Sequence, residues 1–190
     1  DSGRTWQAEK LESKYGVYGD PVIVAERKNR FFYLHLSDPS GQGWSDPAIL
    51  DRIVVQRSSR KAKRWVVDSY VGLNTPKDQD KQWATYNEEN KTLYCTWTQF
   101  DVYGSKEADD KSNILFSMSK NSGRSWMTPI AINQFQGDCV DDDETVEGAV
   151  PAFDNQGNFF GIMGLYGRNR SKAQNDSPGH RWYGGSCTCM

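Results

Sequence analysis

The chain has 190 residues, of which 36% are apolar and 25% charged, and its mean hydropathy is -0.79, values that allow one domain with a real core and a large polar surface. Its 23 basic and 25 acidic residues leave a formal charge of -2, which gives no overall drive towards nucleic acid or an anionic membrane. No apolar stretch approaches the roughly 18 residues needed to span a bilayer, the opening DSGRTWQAEK lacks the basic start and apolar middle of a signal peptide, and aromatics at 13% favour strands over helices.

In chain order, short apolar or alternating runs are divided by turn residues. PVIVAER (Pro21 to Arg27) meets FFYLHLS (Phe31 to Ser37) through KNR, and RIVVQRSS and WVVDSY follow. WATYNEE then meets TLYCTWTQF through NK, followed by NILFSMS and WMTPIAI, and AVPAF meets NFFGIMGLY through DNQG. Each pair is a hairpin by strand and turn rules. Four antiparallel strands in about sixty residues, without helical periodicity, predict an all-β β-propeller of four-stranded antiparallel blades. The blades fall at about 20-70, 81-132 and 148-190, with 1-15 as the end of a preceding blade, in a single region covering 1-190. The tail RWYGGSCTCM has no repeat partner and reads as irregular.

A repeated phrase supports this division. Trp6, Trp65 and Trp126 are separated by 59 and 61 residues, and Ser58 precedes Trp65 by seven residues, as Ser119 precedes Trp126. Between Ser58 and Trp65 the turn residues are replaced by RKAKR. In the third copy Gly123 can supply a positive φ, Asn121 can bond nearby amides, and Trp126 can fold its ring into the sheet.

The stretch S-x-N-x-G-x-S-W at Ser119 to Trp126, with the partial D-S-G-R-T-W at Asp1 to Trp6, resembles the Asp box, or bacterial neuraminidase repeat, of sialidases and related β-propellers. Asn121 stands where that family usually has aspartate. The resemblance implies an active site on the face opposite the box turns, and that face would carry the loops Asp38 to Asp51, Asp101 to Asn113 and Gln136 to Gly148, the longest polar connections in the chain. Sialidases hold the substrate carboxylate with an arginine triad and use a tyrosine nucleophile activated by a glutamate, together with an aspartate acid/base; the physics is bidentate pairing and phenol deprotonation.

By that resemblance Glu147, before AVPAF, matches the nucleophile's glutamate, and Arg168, after NFFGIMGLY, matches a triad arginine, with Arg170 competing. There is no F/Y-R-I-P segment, third arginine or assignable nucleophilic tyrosine, so the catalytic set is incomplete in this chain. Asp101 and Tyr103, at the end of a second strand, together with Trp44 and Tyr166, are candidates for lining a sugar site. The acidic run Asp141, Asp142, Asp143 and Glu144 lacks the spacing of a calcium loop and reads as solvated. Cys95, Cys139, Cys187 and Cys189 form no framework, and pairing the last two with His180 matches no zinc pattern. No metal or cofactor is expected.

About three blades are present where closed propellers use four to eight, which points to missing blades in a longer chain or in another copy. Three functions fit: a sialidase-like glycoside hydrolase of the exo-α-sialidase type acting on sialic-acid-containing or related glycans, a non-catalytic glycan-binding or protein-interaction propeller, or purely structural blades. The expected partner is a glycan, with neither nucleic acid nor membrane. The resemblance implies an extracellular or periplasmic location.

Overall fold

A computed structural model describes residues 3–140, 144–154, 158–165 and 181–187. Three antiparallel sheets follow one another along the chain. The first contains β1 (Val22–Glu26), β2 (Arg30–Leu36), β3 (Ile53–Ser58) and β4 (Trp65–Val71), and the second β5 (Asp78–Asn87), β6 (Thr92–Phe100), β7 (Ser112–Ser119) and β8 (Ile130–Ala131). The third contains β9 (Val146–Phe153), β10 (Phe159–Leu165) and β11 (Arg181–Cys187). In each sheet spatial order follows chain order, and β5 packs against both β1 and β9, so the first strands lie side by side. The molecule is a partial β-propeller. No helix among the described residues is long and apolar enough to cross a membrane.

The tail corrects one expectation. Residues 181–187 form a third strand paired to β10, from Phe159↔Cys187 to Leu165↔Arg181. The paired glycines at Gly184 and Gly185 remove the alternation that marks a strand in sequence. Backbone pairing still carries it. The second sheet also departs from the predicted limits, because β5 begins at Asp78, ahead of WATYNEE, while only Ile130 and Ala131 of WMTPIAI pair as a strand.

Strand β6 lies at the centre, with all nine residues buried. Its two faces meet different sheets, as the period of two requires. Leu93, Cys95 and Trp97 pack on Phe32, Leu34, Leu36, Ile53, Val55 and Val71 of the first sheet. Tyr94 packs with Phe116, Phe153 and Phe159 towards the third, and the Tyr94 and Phe153 ring centroids are 4.5 Å apart. The Thr96 hydroxyl donates to the Ala149 carbonyl at 2.7 Å, tying β6 to β9. Trp97 donates through Nε1 to Gln79 Oε1 at 2.8 Å, and Gly72, at φ 79°, lies so close that a Cβ there would be 3.0 Å from the indole.

The repeated turns share one backbone conformation. Gly3, Ala62 and Gly123 each stand three residues before a tryptophan, with φ of 80°, 50° and 77°. Lys61 and Ser122, one position earlier in their copies, are both at 61°. In the third copy Ser119 Oγ accepts from the Gly123 N–H at 2.9 Å and donates to Asn121 Oδ1 at 3.0 Å, while Asn121 Oδ1 also accepts from the Ser125 N–H at 2.9 Å. The Gly123 carbonyl accepts from the Ser69 hydroxyl of the first sheet, and Trp126 packs on that core. Trp6 differs, being 90% exposed.

Alanine carries in the second copy a conformation that glycine carries in the others. An L-residue there costs about 1–2 kcal/mol, and glycine's greater unfolded-state entropy returns part of that. Ala62→Gly should therefore stabilise the fold by about 0.5–1 kcal/mol in denaturant unfolding. Gly123→Ala should destabilise it by about 2 kcal/mol or more, since its new methyl would meet Val55 Cγ1 at 3.2 Å. Shifts of the same sign would contradict the shared-turn account.

Candidate functional site

The first strands of the three sheets begin alike. Asp20, just before β1, is left-handed at φ 52°; Lys81, after Asp80 in β5, is at 51°; Gly148, after Glu147 in β9, is at 68°. The β5–β6 register breaks between Asp80 and Trp83, and the β9–β10 register breaks just after Glu147. Such bulges re-aim side chains. A non-glycine residue at positive φ stores about 1–3 kcal/mol of strain and persists only where its surroundings hold it. Here they do: the Asp20 carbonyl accepts from the buried Gln82 side chain, and Leu36 and the segment Tyr18 to Gly19 exchange backbone bonds at 3.0 Å.

These starts bring three acids around one ammonium. Asp80, 5% exposed, accepts from the Lys81 N–H at 2.8 Å, and its other oxygen lies 4.0 Å from Lys81 Nζ. Burial raises the Asp80 pKa to about 6; the Lys81 amide and ammonium oppose the shift, while the charge of Asp20, and the hydrogen bond that the protonated Asp80 carboxyl donates to it, add to the shift. Burial alone would push the Lys81 ammonium down, but the charges of Asp80, Glu147 and Asp20 outweigh it and hold Lys81 above its ordinary value, with a smaller contribution from Tyr103. A carboxyl that stays protonated well above the usual range, next to other acids and a cation, suits general acid chemistry.

An aromatic group borders this cluster. Trp44, 58% exposed, lies 5.4 Å between centroids from Tyr103 and 6.0 Å from Tyr18, which is 42% exposed. Trp44 rides on a single 3-10 turn, Gly43–Ser45, in a loop braced by carboxylates. Asp38 Oδ2 accepts from the Gly43 N–H at 3.0 Å, and Asp46 accepts from the N–H groups of Ser40 and Ala48. Hydrogen bonds from Ser40 and Ala48 hold the Asp46 carboxyl below its ordinary value. The Tyr103 N–H donates to Asp78 Oδ2 at 2.8 Å, and burial raises the Asp78 pKa against that bond.

The structure brings Trp44 and Tyr103 into contact and sets Tyr103 and Glu147 around Lys81. Asp101 is engaged elsewhere, in an ion pair with Lys77 at 2.6 Å and with the Lys111 N–H at 3.1 Å. Burial acts to raise its pKa, but those partners prevail and lower it. Arg168, Arg170, Tyr166, the run Asp141 to Asp143 and the pair of His180 with Cys189 lie outside the described residues. Cys95 and Cys139 are buried free thiols whose pKa burial raises. Among the described residues no group of three His, Cys, Asp or Glu side chains could hold a metal ion.

Asp20, Asp80 and Lys81 were absent from the sequence expectations. A signal existed, because each stands just before or at the start of a repeat's first strand, as Glu147 does. The bulges that turn them together leave no mark in hydrophobic periodicity.

Neither a family model nor a curated protein matches the chain. Among solved structures, a Hadza microbial sialidase superposes at a TM-score of 0.54 with 13% identity, over 76% of this chain and 32% of that one. A xylan β-1,4-xylosidase from Bacillus halodurans gives 0.49 with 14% identity, over 86% of this chain and 28% of its own. An endo-arabinase from Bacteroides thetaiotaomicron gives 0.49 with 14% identity, over 90% and 56%. The chain thus spans about a third of the sialidase's length and shares its fold.

The raised Asp80 pKa has a stability consequence of definite sign. The folded state holds this proton more tightly than the unfolded chain, so the neutral carboxyl's stabilisation is full below about pH 4 and is lost as pH rises through about 6. Asp80→Asn should abolish that decline and be more stable than the parent at pH 7.5 by about 1–3 kcal/mol. Urea unfolding at a series of pH values checks it; parallel curves for the two proteins would contradict it.

Proposed function

We propose that these blades carry part of the active site of a glycoside hydrolase of the exo-α-sialidase type, acting on sialic-acid-containing or related acidic glycans. The observation that carries this reading is the convergence of Asp20, Asp80 and Glu147 on Lys81, with Asp80 protonated to about pH 6. Asp80 donates a proton to the departing glycosidic oxygen, and Glu147 supplies negative charge at the neighbouring strand start. Lys81 is the cation placed to meet a sugar carboxylate. Trp44, Tyr103 and Tyr18 offer ring faces to the pyranose.

Several parts of the reading rest on the resemblance of Ser119 to Trp126 to the Asp box. Arg168 then serves as a carboxylate-binding arginine, and blades beyond these three complete the pocket. A secreted location fits a chain acting on glycans outside the cell. The second reading, a glycan-binding propeller without turnover, is favoured by the exposed rings of Trp44 and Tyr18 and by the incomplete arginine set.

Hydrolysis of a fluorogenic sialoside by this chain, and by the longer protein carrying these blades, separates the two. The hydrolase reading predicts that Asp80→Asn and Glu147→Gln each lower kcat at least about 100-fold, while Trp44→Ala mainly raises KM. It also predicts that kcat/KM falls as pH rises through about 6, where Asp80 loses its proton. Sialoside binding without turnover in either protein, weakened by Trp44→Ala, would replace it with the binding reading.

A further inference from the structure

The face opposite the acidic site holds a groove of about 580 Å³ lined by Arg27, Lys28, Asn29, Arg60, Lys61 and Lys63. It lies between the β1–β2 turn and the β3–β4 hairpin, which the Lys61 N–H joins by donating to the Asn29 carbonyl at 2.6 Å. Five of the six lining residues are cationic, in a chain whose formal charge is -2. All five cations are exposed, and among the described residues none of them makes an ion pair. The neighbouring acids are engaged: Glu26 pairs with Arg30, and Glu88 accepts from the Arg27 N–H.

The hairpin's sequence contradicts its conformation. Lys61 and Ala62 hold the two left-handed positions that Ser122 and Gly123 hold one repeat later. Lys61, like Ser122, is a non-glycine residue at φ 61°, and only Ala62 stands where the other two copies have glycine. One more arginine precedes the hairpin, on β3. Arg57, 7% exposed and without a hydrogen-bond partner for its Nε, is held below its ordinary pKa by burial and then by the charges of Arg124 and Arg30, against the opposing charge of Glu26.

We propose that this groove binds a linear polysaccharide bearing sulfate or carboxylate groups, as a second glycan site on the face opposite the acidic cluster. Arginine forks and lysine ammoniums suit such anions. Among the described residues no aromatic ring lines the groove, which there lacks the stacking platform that single-stranded nucleic acid sites use. The site does not depend on the hydrolase reading.

The test is fluorescence anisotropy with a labelled heparin oligosaccharide at increasing salt. Changing Arg60→Asn, Lys61→Ser, Ala62→Gly and Lys63→Gln together removes three charges and gives the turn the Asn–Ser–Gly residues of the third copy, so the melting temperature should hold or rise. Heparin affinity should fall at least about tenfold at 0.1 M NaCl, and the log–log salt slope should shrink by about 2. Arg27→Gln with Lys28→Gln, on the other turn, should weaken binding in the same direction, and Asp80→Asn should leave it unchanged. Absent heparin binding, affinity indifferent to both groove variants, or tighter binding of a single-stranded oligonucleotide of equal charge would overturn the proposal.

Discussion

Burial of β6 on both faces is the constraint from which the rest of the arrangement follows. A strand buried on both sides needs a sheet against each, so Leu93, Cys95 and Trp97 require the first sheet and Tyr94 and Thr96 require the third. Removing either neighbour would open a face of the middle sheet to water, at about 25 cal/mol for each Å² of apolar surface. Trp97 fixes the approach on one side. Its ring leaves room for no side chain at Gly72, and its Nε1 is anchored by Gln79 at the start of β5, the first strand of its own sheet.

Because the sheets succeed one another in this way, their first strands lie side by side and their starting ends open on one face. Asp20, Asp80, Glu147 and Lys81 collect there. Bulges at Asp80–Lys81 and after Glu147, and the left-handed Asp20, turn acids together that a regular strand would point apart. The hairpins at the other ends need only close, and their conserved backbone turn leaves side chains free to vary. One such turn keeps the Ser–Asn–Gly hydrogen bonds, and another lines a basic groove with the same two positions left-handed.

Much of this was legible in sequence, and the limits have physical causes. Strands such as TLYCTWTQF and RIVVQRSS declare themselves through apolar content and β-branched residues, and the tryptophan spacing fixes the repeat. Strand β11 was missed because Gly184 and Gly185 carry no pattern. Trp44 and Tyr103 were expected on one face from loop position alone, and their ring centroids lie 5.4 Å apart with the planes tilted by 30°. Asp80 was not singled out, because its altered acidity comes from burial and from Asp20, sixty residues away, which no local reading detects. Asp101 looked comparable in sequence, yet its pairing with Lys77 turns its acidity the other way.

The central claim is that the first-strand starts form one electrostatic unit around Lys81, in which Asp20 and Asp80 interact through a proton. Carboxyl-carbon NMR titration of Asp80 tests it most directly, in the parent protein and in Asp20→Asn. The account predicts a midpoint near pH 6 in the parent and a clearly lower one in the variant, because a neighbouring negative charge has been removed. A midpoint at the ordinary aspartate value, unmoved by the substitution, would mean that these acids do not act as a unit.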